Sequence, residues 1–159
     1  MKLESGCKAP DFSLRDIQGN SVALSDFRGE KVVLYFYPRD NTPGCTTQAC
    51  DFRDNFDKFK QLGYKIIGIS PDTESSHIKF AEKFSLPFTL LSDPDRQVAA
   101  SYGAYGIKKK YGKESIGIIR STFLINENGI VEYVAANVKA TGHVEKLLKS
   151  CDKQLPIKK

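Results

Sequence analysis

The sequence predicts an α/β protein with a central mixed sheet, helices on both faces and an additional hairpin at the N-terminus. Two uninterrupted apolar runs, KVVLYFY at residues 31–37 and YKIIGIS at residues 64–70, are typical of strands buried on both faces of a parallel sheet. The segment between them has helical periodicity, so the two strands should be parallel with a right-handed crossover. A later antiparallel hairpin makes the predicted sheet mixed.

The chain opens with the predicted hairpin. Short apolar segments at residues 12–14 and 22–24 flank the turn-rich segment 16–20, DIQGN. The first buried strand follows at residues 31–37. Pro38 ends it, because proline lacks the N–H that a central strand needs.

Two helices are predicted around the second buried strand. Residues 45–62 carry apolar side chains at three- and four-residue intervals, which form one stripe: Ala49, Phe52, Phe56 and Phe59. Gly63 ends this helix. The second helix is predicted at residues 76–84. Its inward side chains should be Ile78, Ala81 and Phe84.

The C-terminal part completes the predicted sheet. A short strand at residues 88–91 precedes a helix near residues 96–102. Two further strands, at residues 121–125 and 130–135, are joined by NENG, which is a strong hairpin signal. The last helix has one apolar face, formed by Val144, Leu147, Leu148 and Cys151.

This order of strands and helices is that of a thioredoxin-like α/β sandwich. The loop after the strand at residues 31–37 then lies at the carboxyl edge of the sheet, where open α/β sheets place their ligands. Cys45 follows that loop directly.

Length and composition predict one globular domain over residues 1–159. Apolar residues make up 40% of the chain and charged residues 27%, which are ordinary values. No stretch approaches the roughly 18 apolar residues that span a membrane, so a membrane protein is not expected. The N-terminus lacks the pattern of a secretory leader, and a cytoplasmic location is expected.

The charge of the chain is modestly basic, with a net charge of +5. The basic residues are scattered, and their densest runs are residues 108–110 and 158–159. A nucleic-acid-binding protein more often carries a basic stripe beside exposed aromatic residues. A solvated face and a basic tail are therefore predicted, without a nucleic-acid partner.

Four cysteines occur in a chain long enough to fold without disulfides. Cys45 and Cys50 lie close together in sequence, whereas Cys7 and Cys151 lie near the two ends. Cys7 is interpreted as an incidental thiol and Cys151 as part of the core. Either one could still react with Cys45 if folding brings it near.

Cys45 is predicted to be a reactive thiolate because it opens a helix. Unpaired N–H groups and the positive end of the helix dipole stabilise an anion there. An ordinary thiol is only about 3% ionised at pH 7, so full ionisation raises the thiolate fraction roughly thirtyfold. Nucleophilicity falls as a thiol becomes more acidic, so acidity alone does not make an efficient catalyst. The site must also stabilise the charge that develops on the departing group of a substrate.

Three residues are candidates for the rest of this site. Thr42, three residues before Cys45, could bring a hydroxyl group to the same pocket. Pro38 could shield the sulfur from water. Arg120 directly precedes the strand STFLI and could supply a cation.

The segment YPRDNTPGCTTQACDFRD resembles the active-site loop of peroxiredoxins, whose pattern is Pro, three residues, Thr or Ser, two residues, Cys. Pro38, Thr42 and Cys45 match this pattern. The longer string, together with IIRSTFLIN around Arg120, is similar to the bacterioferritin comigratory protein or peroxiredoxin Q branch. The similarity extends from about residue 6 to about residue 148.

The resemblance implies a thiol peroxidase that reduces hydrogen peroxide and organic hydroperoxides without haem, flavin or metal. It implies that Cys45 is the peroxidatic residue, that Thr42 and Arg120 activate it, and that Cys50 is the resolving cysteine. It also implies regeneration by a dithiol reductant such as thioredoxin.

Helix geometry adds a constraint on the implied disulfide. Residues five apart in an α-helix are separated by roughly 8.7 Å between Cα atoms, whereas a disulfide needs about 4.4–6.8 Å. If Cys45 and Cys50 are both helical, the bond closes only when the first turns unwind. A folded reduced state and a locally melted oxidised state are expected.

Two other functions remain as alternatives. A thiol–disulfide oxidoreductase usually carries CxxC at the helix start, and the spacing here is four residues. A metal-binding or chaperone module could share the same scaffold. His77 and His143 have no nearby ligand in the sequence, so neither a metal nor a cofactor is expected. A monomer is expected.

Overall fold

The structure, a computed structural model, describes residues 4–110 and 112–154. Its strands are β1 (Ser13–Arg15), β2 (Ser21–Ala23), β3 (Lys31–Phe36), β4 (Tyr64–Ser70), β5 (Thr89–Ser92), β6 (Tyr105–Lys110), β7 (Lys113–Ile118), β8 (Ser121–Ile125) and β9 (Val131–Ala135). Its helices are α1 (Pro43–Asp54), α2 (Phe56–Gln61), α3 (Glu74–Phe84), α4 (Gln97–Ser101) and α5 (His143–Gln154). The basic residues 158–159 lie outside the described part of the chain.

Seven of the strands form one mixed sheet in the order β2-β1-β5-β4-β3-β8-β9. Strands β3, β4 and β5 are parallel, while β1, β2, β8 and β9 pair antiparallel with their neighbours. The predicted N-terminal hairpin, parallel pair and closing hairpin are confirmed. Strand β3 lies inside the sheet and is covered on both faces, which explains its uninterrupted apolar run.

Side chains of β3 alternate between two hydrophobic cores. Val33 and Tyr35 face the core that α1, α2, α3 and α5 cover, while Leu34 and Phe36 face the opposite core, beside α4 and the N-terminal segment. The ring of Tyr35 fits only because Gly68 stands opposite it in β4. A Cβ at Gly68 would come within 2.9 Å of that ring.

The single helix predicted at residues 45–62 is wrong in its continuity, since the segment forms α1 and α2 with a break at Asn55. The backbone of Asn55 has φ −110° and ψ 12°, and its side-chain Nδ2 donates to the Asp51 carbonyl at 2.8 Å. The Asn55 N–H also donates to the Asp51 carbonyl at 3.1 Å and to the Phe52 carbonyl at 3.3 Å, a shared bond that is common at helix ends. The predicted apolar stripe still faces the core from both segments.

Helix α3 begins two residues earlier than predicted, because the Thr73 hydroxyl caps it by accepting the Ser76 N–H at 3.1 Å. The prediction that Ile78 points inward is also wrong, since it is 36% exposed. The inward face consists of residues three and four apart, namely His77, Phe80, Ala81 and Phe84. The apolar pattern of the sequence did not predict this inward face, because one of its buried positions is occupied by a polar residue, His77.

A separate two-stranded sheet, formed by β6 and β7, was not predicted from the sequence. Its cross-strand pair Ile107 and Ile116 is 64% and 70% exposed, so these two apolar side chains do not face either hydrophobic core. The basic residues 108–110 lie within β6. None of the described helices is long and apolar enough to cross a membrane.

Candidate active site

Cys45 is the third residue of α1, just after the loop that leaves the carboxyl end of β3. Pro43 begins the helix, where its missing N–H costs nothing because first-turn N–H groups have no intrahelical partner. The Thr42 carbonyl accepts the Thr46 N–H at 2.8 Å and closes the first turn. The positive end of the helix dipole therefore lies beside Cys45.

Cys45 is buried although it lies in the first turn of a helix, and only 2% of the residue is exposed. It lies four residues before Ala49 and seven before Phe52, so all three side chains share the inward face of α1. The sulfur is therefore largely shielded from reagents in solution.

Arg120 supplies the cation at this site. Its Nη2 donates to Cys45 Sγ at 3.3 Å, and its Nη1 donates to Gln48 Oε1 at 2.7 Å. Strand register explains the approach, because Ser121 at the start of β8 pairs with Phe36 at the end of β3. The residue before β8 therefore lies at the same edge of the sheet as the residues that follow β3.

Gln48 and Gly44 support Arg120, and neither was singled out from the sequence. Gln48 is fully buried one helical turn after Cys45, and its Oε1 accepts a hydrogen bond from Nη1 of the Arg120 guanidinium group. The signal for it was a polar residue within the apolar stripe of the helix. A Cβ at Gly44 would come within 3.2 Å of Arg120 Nη2, so glycine leaves room for the arginine.

Thr42 and Pro38 lie on the loop before α1. The Thr42 hydroxyl donates to the Arg39 carbonyl at 3.0 Å and makes no hydrogen bond to Cys45 within the described residues. Pro38 is half-buried and lines a pocket of about 760 Å³ that Arg120 also lines. Ile107, Ile119 and Val138 form part of the same pocket.

Comparison with known proteins identifies the family of this site. Residues 5–134 match the model of the AhpC/TSA family. The chain belongs to the AhpC/TSA family of peroxiredoxins. The peroxiredoxin resemblance that its active-site loop indicated is thereby confirmed.

Relatives of this peroxiredoxin match it along nearly their whole length. Peroxiredoxin Bcp of Bacillus subtilis is 48% identical over 150 residues, which cover 94% of this chain and 96% of the relative. Peroxiredoxin Bcp of Escherichia coli is 47% identical over 146 residues, covering 92% and 94%. The bacterioferritin comigratory protein of Xanthomonas campestris has a solved structure with a TM-score of 0.87 and 34% identity, covering 94% and 98%. This peroxiredoxin is a thiol peroxidase with a thioredoxin-like fold.

Two ionisable groups near the site of this peroxiredoxin are held neutral. Burial, followed by the charge of Cys45, raises the pKa of Tyr35 well above its ordinary value. Burial, followed by the charges of Arg120 and Lys146, lowers the pKa of His143 to about 4. His143 Nε2 lies at hydrogen-bond distance, 2.8 Å, from Thr122 Oγ1 in β8.

The four cysteines of the peroxiredoxin lie at different ends of the sheet. Cys50 is half-buried on α1 with Cys45, at the carboxyl end of β3. Cys7 lies at the other end of the sheet, because its carbonyl accepts the Val131 N–H at the start of β9. Val131 pairs with Ile125 of β8, which in turn pairs with Val32 near the amino end of β3.

Cys151 also lies away from Cys45. Burial, followed by the proximity of Cys151, raises the pKa of Tyr64, the first residue of β4. Tyr64 pairs with Lys31 at the amino end of β3. Cys151 is fully buried, as predicted.

The expectation that His77 is isolated is wrong. Its side chain is fully buried, and its Nδ1 lies 2.7 Å from Asp40 Oδ2. The sequence concealed this pair because 37 residues separate its members.

Proposed function

We propose that Cys45 is the peroxidatic residue and that Arg120 activates both the sulfur and the peroxide. The observation that carries this proposal is the 3.3 Å contact between Arg120 Nη2 and Cys45 Sγ at the positive end of α1. Both features stabilise a thiolate. The thiolate attacks one oxygen of the O–O bond, which becomes the oxygen of a sulfenic acid. The other oxygen leaves with the electron pair and takes up a proton to give water or an alcohol.

The residues around Cys45 have different proposed roles in this step. Arg120 can share its donors between the sulfur and the oxygen on which charge develops. The Thr42 hydroxyl already donates to Arg39, so its oxygen keeps lone pairs that can accept the O–H of a hydroperoxide. Pro38 shields the side of the pocket nearest the loop. Gln48 keeps the guanidinium group in place.

The substrate class follows from the pocket beside Arg120. Its lining includes the apolar side chains of Ile107, Ile119 and Val138, which suit an alkyl chain. The bacterioferritin comigratory protein of Xanthomonas campestris has alkyl peroxide reduction activity. We therefore assign hydrogen peroxide and organic hydroperoxides to this chain. A sulfur that is 2% exposed does not suit attack on a protein disulfide, which disfavours a thiol–disulfide oxidoreductase.

Cys50 is the proposed resolving residue. It is the cysteine that shares α1 with Cys45, whereas Cys7 and Cys151 lie toward the other end of the sheet. Because both residues are helical, their Cα atoms are roughly 8.7 Å apart in regular geometry, beyond the reach of a disulfide. The Cys50 thiol can condense with the sulfenic acid, releasing water, only after α1 unwinds locally.

Unwinding of α1 predicts a difference in amide exchange between the two redox states. We expect exchange over residues 44–52 to be at least about tenfold faster in the oxidised protein, because the first turns lose their hydrogen bonds. Exchange in β3 and β4 should stay the same and serves as the internal control. Hydrogen–deuterium exchange with mass spectrometry measures both. Equally slow exchange over residues 44–52 in the two states would contradict the proposal.

A dithiol reductant such as thioredoxin should regenerate the enzyme by attacking the Cys45–Cys50 disulfide. Replacement of Cys50 by serine should leave sulfenic acid formation on Cys45 intact, yet reduce thioredoxin-driven turnover by at least about tenfold, because no disulfide forms. A dimedone adduct on Cys45 and a coupled NADPH assay test the two parts. The matched control is Cys7→Ser, which should turn over like the wild type. Full turnover in Cys50→Ser would assign resolution elsewhere.

A cytoplasmic location fits this cycle, since reductants there keep dithiols reduced. The monomeric state stays a prediction that sedimentation velocity would test. The single domain over residues 1–159 likewise stays a prediction.

A further inference from the structure

A buried polar network holds the loop that carries Pro38 and Thr42, and its centre is the Asp40 carboxylate. Oδ1 of Asp40 accepts the Tyr37 hydroxyl at 2.6 Å, and Oδ2 accepts the Ser76 hydroxyl at 2.8 Å. Oδ2 also lies 2.7 Å from His77 Nδ1. Asp40 is 7% exposed and His77 is fully buried. Every oxygen of this carboxylate is therefore occupied.

The two ring nitrogens of His77 both face oxygen acceptors. Nδ1 faces Asp40, and Nε2 lies 2.9 Å from the Leu91 carbonyl in β5. His77 therefore links the active-site loop on one side to β5 on the other. Removal of either Asp40 or His77 leaves the other side chain buried without its hydrogen-bond partner, which costs stability.

Hydrogen bonding rather than metal binding explains the arrangement. Asp72 joins Asp40 and His77, and one ligand atom of each lies within 4.8 Å of the others. Two atoms bound to one tetrahedral zinc ion, however, lie roughly 3.3 Å apart. The 2.7 Å between Asp40 and His77 is the length of a hydrogen bond. Asp72 instead accepts the Asp40 backbone N–H at 2.6 Å and the Ser70 hydroxyl at 2.8 Å.

The network connects the active-site loop to three rigid elements. Asp40 belongs to the loop, Ser70 to β4, His77 to α3 and Leu91 to β5. The next residue, Asn41, has φ +59°, a left-handed turn conformation that asparagine adopts more readily than most residues. The loop immediately before Thr42 is thus held on both its backbone and its side chains.

We propose that Asp40 and His77 are positioning residues that anchor the active-site loop while α1 alternates between its helical and unwound states. This inference rests on the proposed function, in which α1 unwinds to form the Cys45–Cys50 disulfide. The anchor fixes the chain up to Asn41, so that unwinding begins beyond it. In the reduced state it keeps Thr42, Pro38 and the start of α1 in the geometry that attack on the peroxide requires.

Loss of the anchor should therefore affect the two chemical steps differently. Attack on the peroxide needs the loop in one position and should slow down. Closure of the disulfide needs α1 to unwind and should proceed at the same rate or faster. A residue with a merely structural role would lower stability without separating these two rates.

The test compares Asp40→Asn and His77→Gln with Asp93→Asn. Asp93 is also buried, at 3% exposure, but it accepts the N–H groups of Val98 and Ala99 at α4. Attack is measured as sulfenic acid formation in the Cys50→Ser background, and closure as disulfide formation with Cys50 present. Amide exchange over residues 40–46 is compared with exchange in β3 and β4.

In both anchor variants, we expect attack to be between about ten and a hundred times slower, with closure undiminished. Exchange over residues 40–46 should rise at least about tenfold more than in β3 and β4. Asp93→Asn should change the attack rate by less than about twofold, in line with substitutions that act on stability alone. If Asp40→Asn does not fold, Tyr37→Phe, which removes one donor to the same carboxylate, should still show faster loop exchange.

Two results would overturn the inference. One is folded variants whose attack rate and loop exchange equal those of the wild type. The other is exchange that rises equally in the loop and in the core strands, which indicates a purely structural role. Absence of sulfenic acid on Cys45 in Cys50→Ser with the anchor intact would instead refute the proposed function, so the two failures are distinguishable.

Discussion

Replacement of Cys45 by serine is expected to lower peroxide consumption at least about a thousandfold, because a hydroxyl group at this position cannot act as the nucleophile that a thiolate provides. The substitution replaces one atom in a buried side chain, so the fold should be kept. Consumption of hydrogen peroxide with thioredoxin, its reductase and NADPH measures the effect.

Two variants control for the loss of a thiol in general. Cys7→Ser removes an exposed thiol at the other end of the sheet, and Cys151→Ala removes a buried one from α5. Both should consume peroxide at the wild-type rate when folded. Retained consumption in Cys45→Ser would refute the assignment of the peroxidatic residue.

Replacement of Arg120 by methionine has the second largest expected effect. The rate of attack on peroxide should fall by about a hundred- to a thousandfold, which is typical when a donor to developing negative charge is removed. Arg120→Lys keeps the positive charge, but a single ammonium group cannot reproduce the two hydrogen bonds to Cys45 and Gln48 in the same geometry. An intermediate decrease in the rate of attack is therefore expected. Stopped-flow measurement of sulfenic acid formation in the Cys50→Ser background tests both variants.

The matched control for Arg120 is Arg53→Met. Arg53 lies on α1, eight residues after Cys45, and its guanidinium group donates to Asp54 and to the Phe84 carbonyl instead of to Cys45. Its replacement should change the attack rate by less than about twofold. Equal losses in the Arg53 and Arg120 variants would mean that Arg120 acts through the stability of α1 rather than on the reaction.

The elements that the sequence predicted best are those with one dominant physical signal. The apolar runs of β3 and β4 reflect burial on both faces of the sheet. Errors arose where a side chain overrode the pattern. The helix is interrupted at Asn55, and the inward position that apolar periodicity assigned to Ile78 is taken by His77. The hairpin of β6 and β7 was not predicted because its apolar side chains, including those of Ile107 and Ile116, are largely exposed and give no signal of a core-facing strand.

The residues of the site also fall into those that the sequence predicted and those that it did not. The position of Cys45 at a helix start follows from the loop and the apolar stripe after it, and Arg120 was suggested by its place before β8. Its 3.3 Å contact with Cys45 depends on the pairing of β8 with β3, which the sequence does not specify. Gln48 and Asp40 were missed because their partners are 72 and 37 residues away.

The central claim is that the surroundings of Cys45, rather than its accessibility, make it react with peroxide. The most direct test offers the reduced protein less than one equivalent of hydrogen peroxide, traps sulfenic acids and measures the modification of all four cysteines by mass spectrometry. Cys45 is 2% exposed and Cys7 is exposed, so accessibility and activation predict opposite results. We expect modification of Cys45, or its disulfide with Cys50, before Cys7 reacts measurably. Preferential oxidation of Cys7 with Cys45 left reduced would contradict the account.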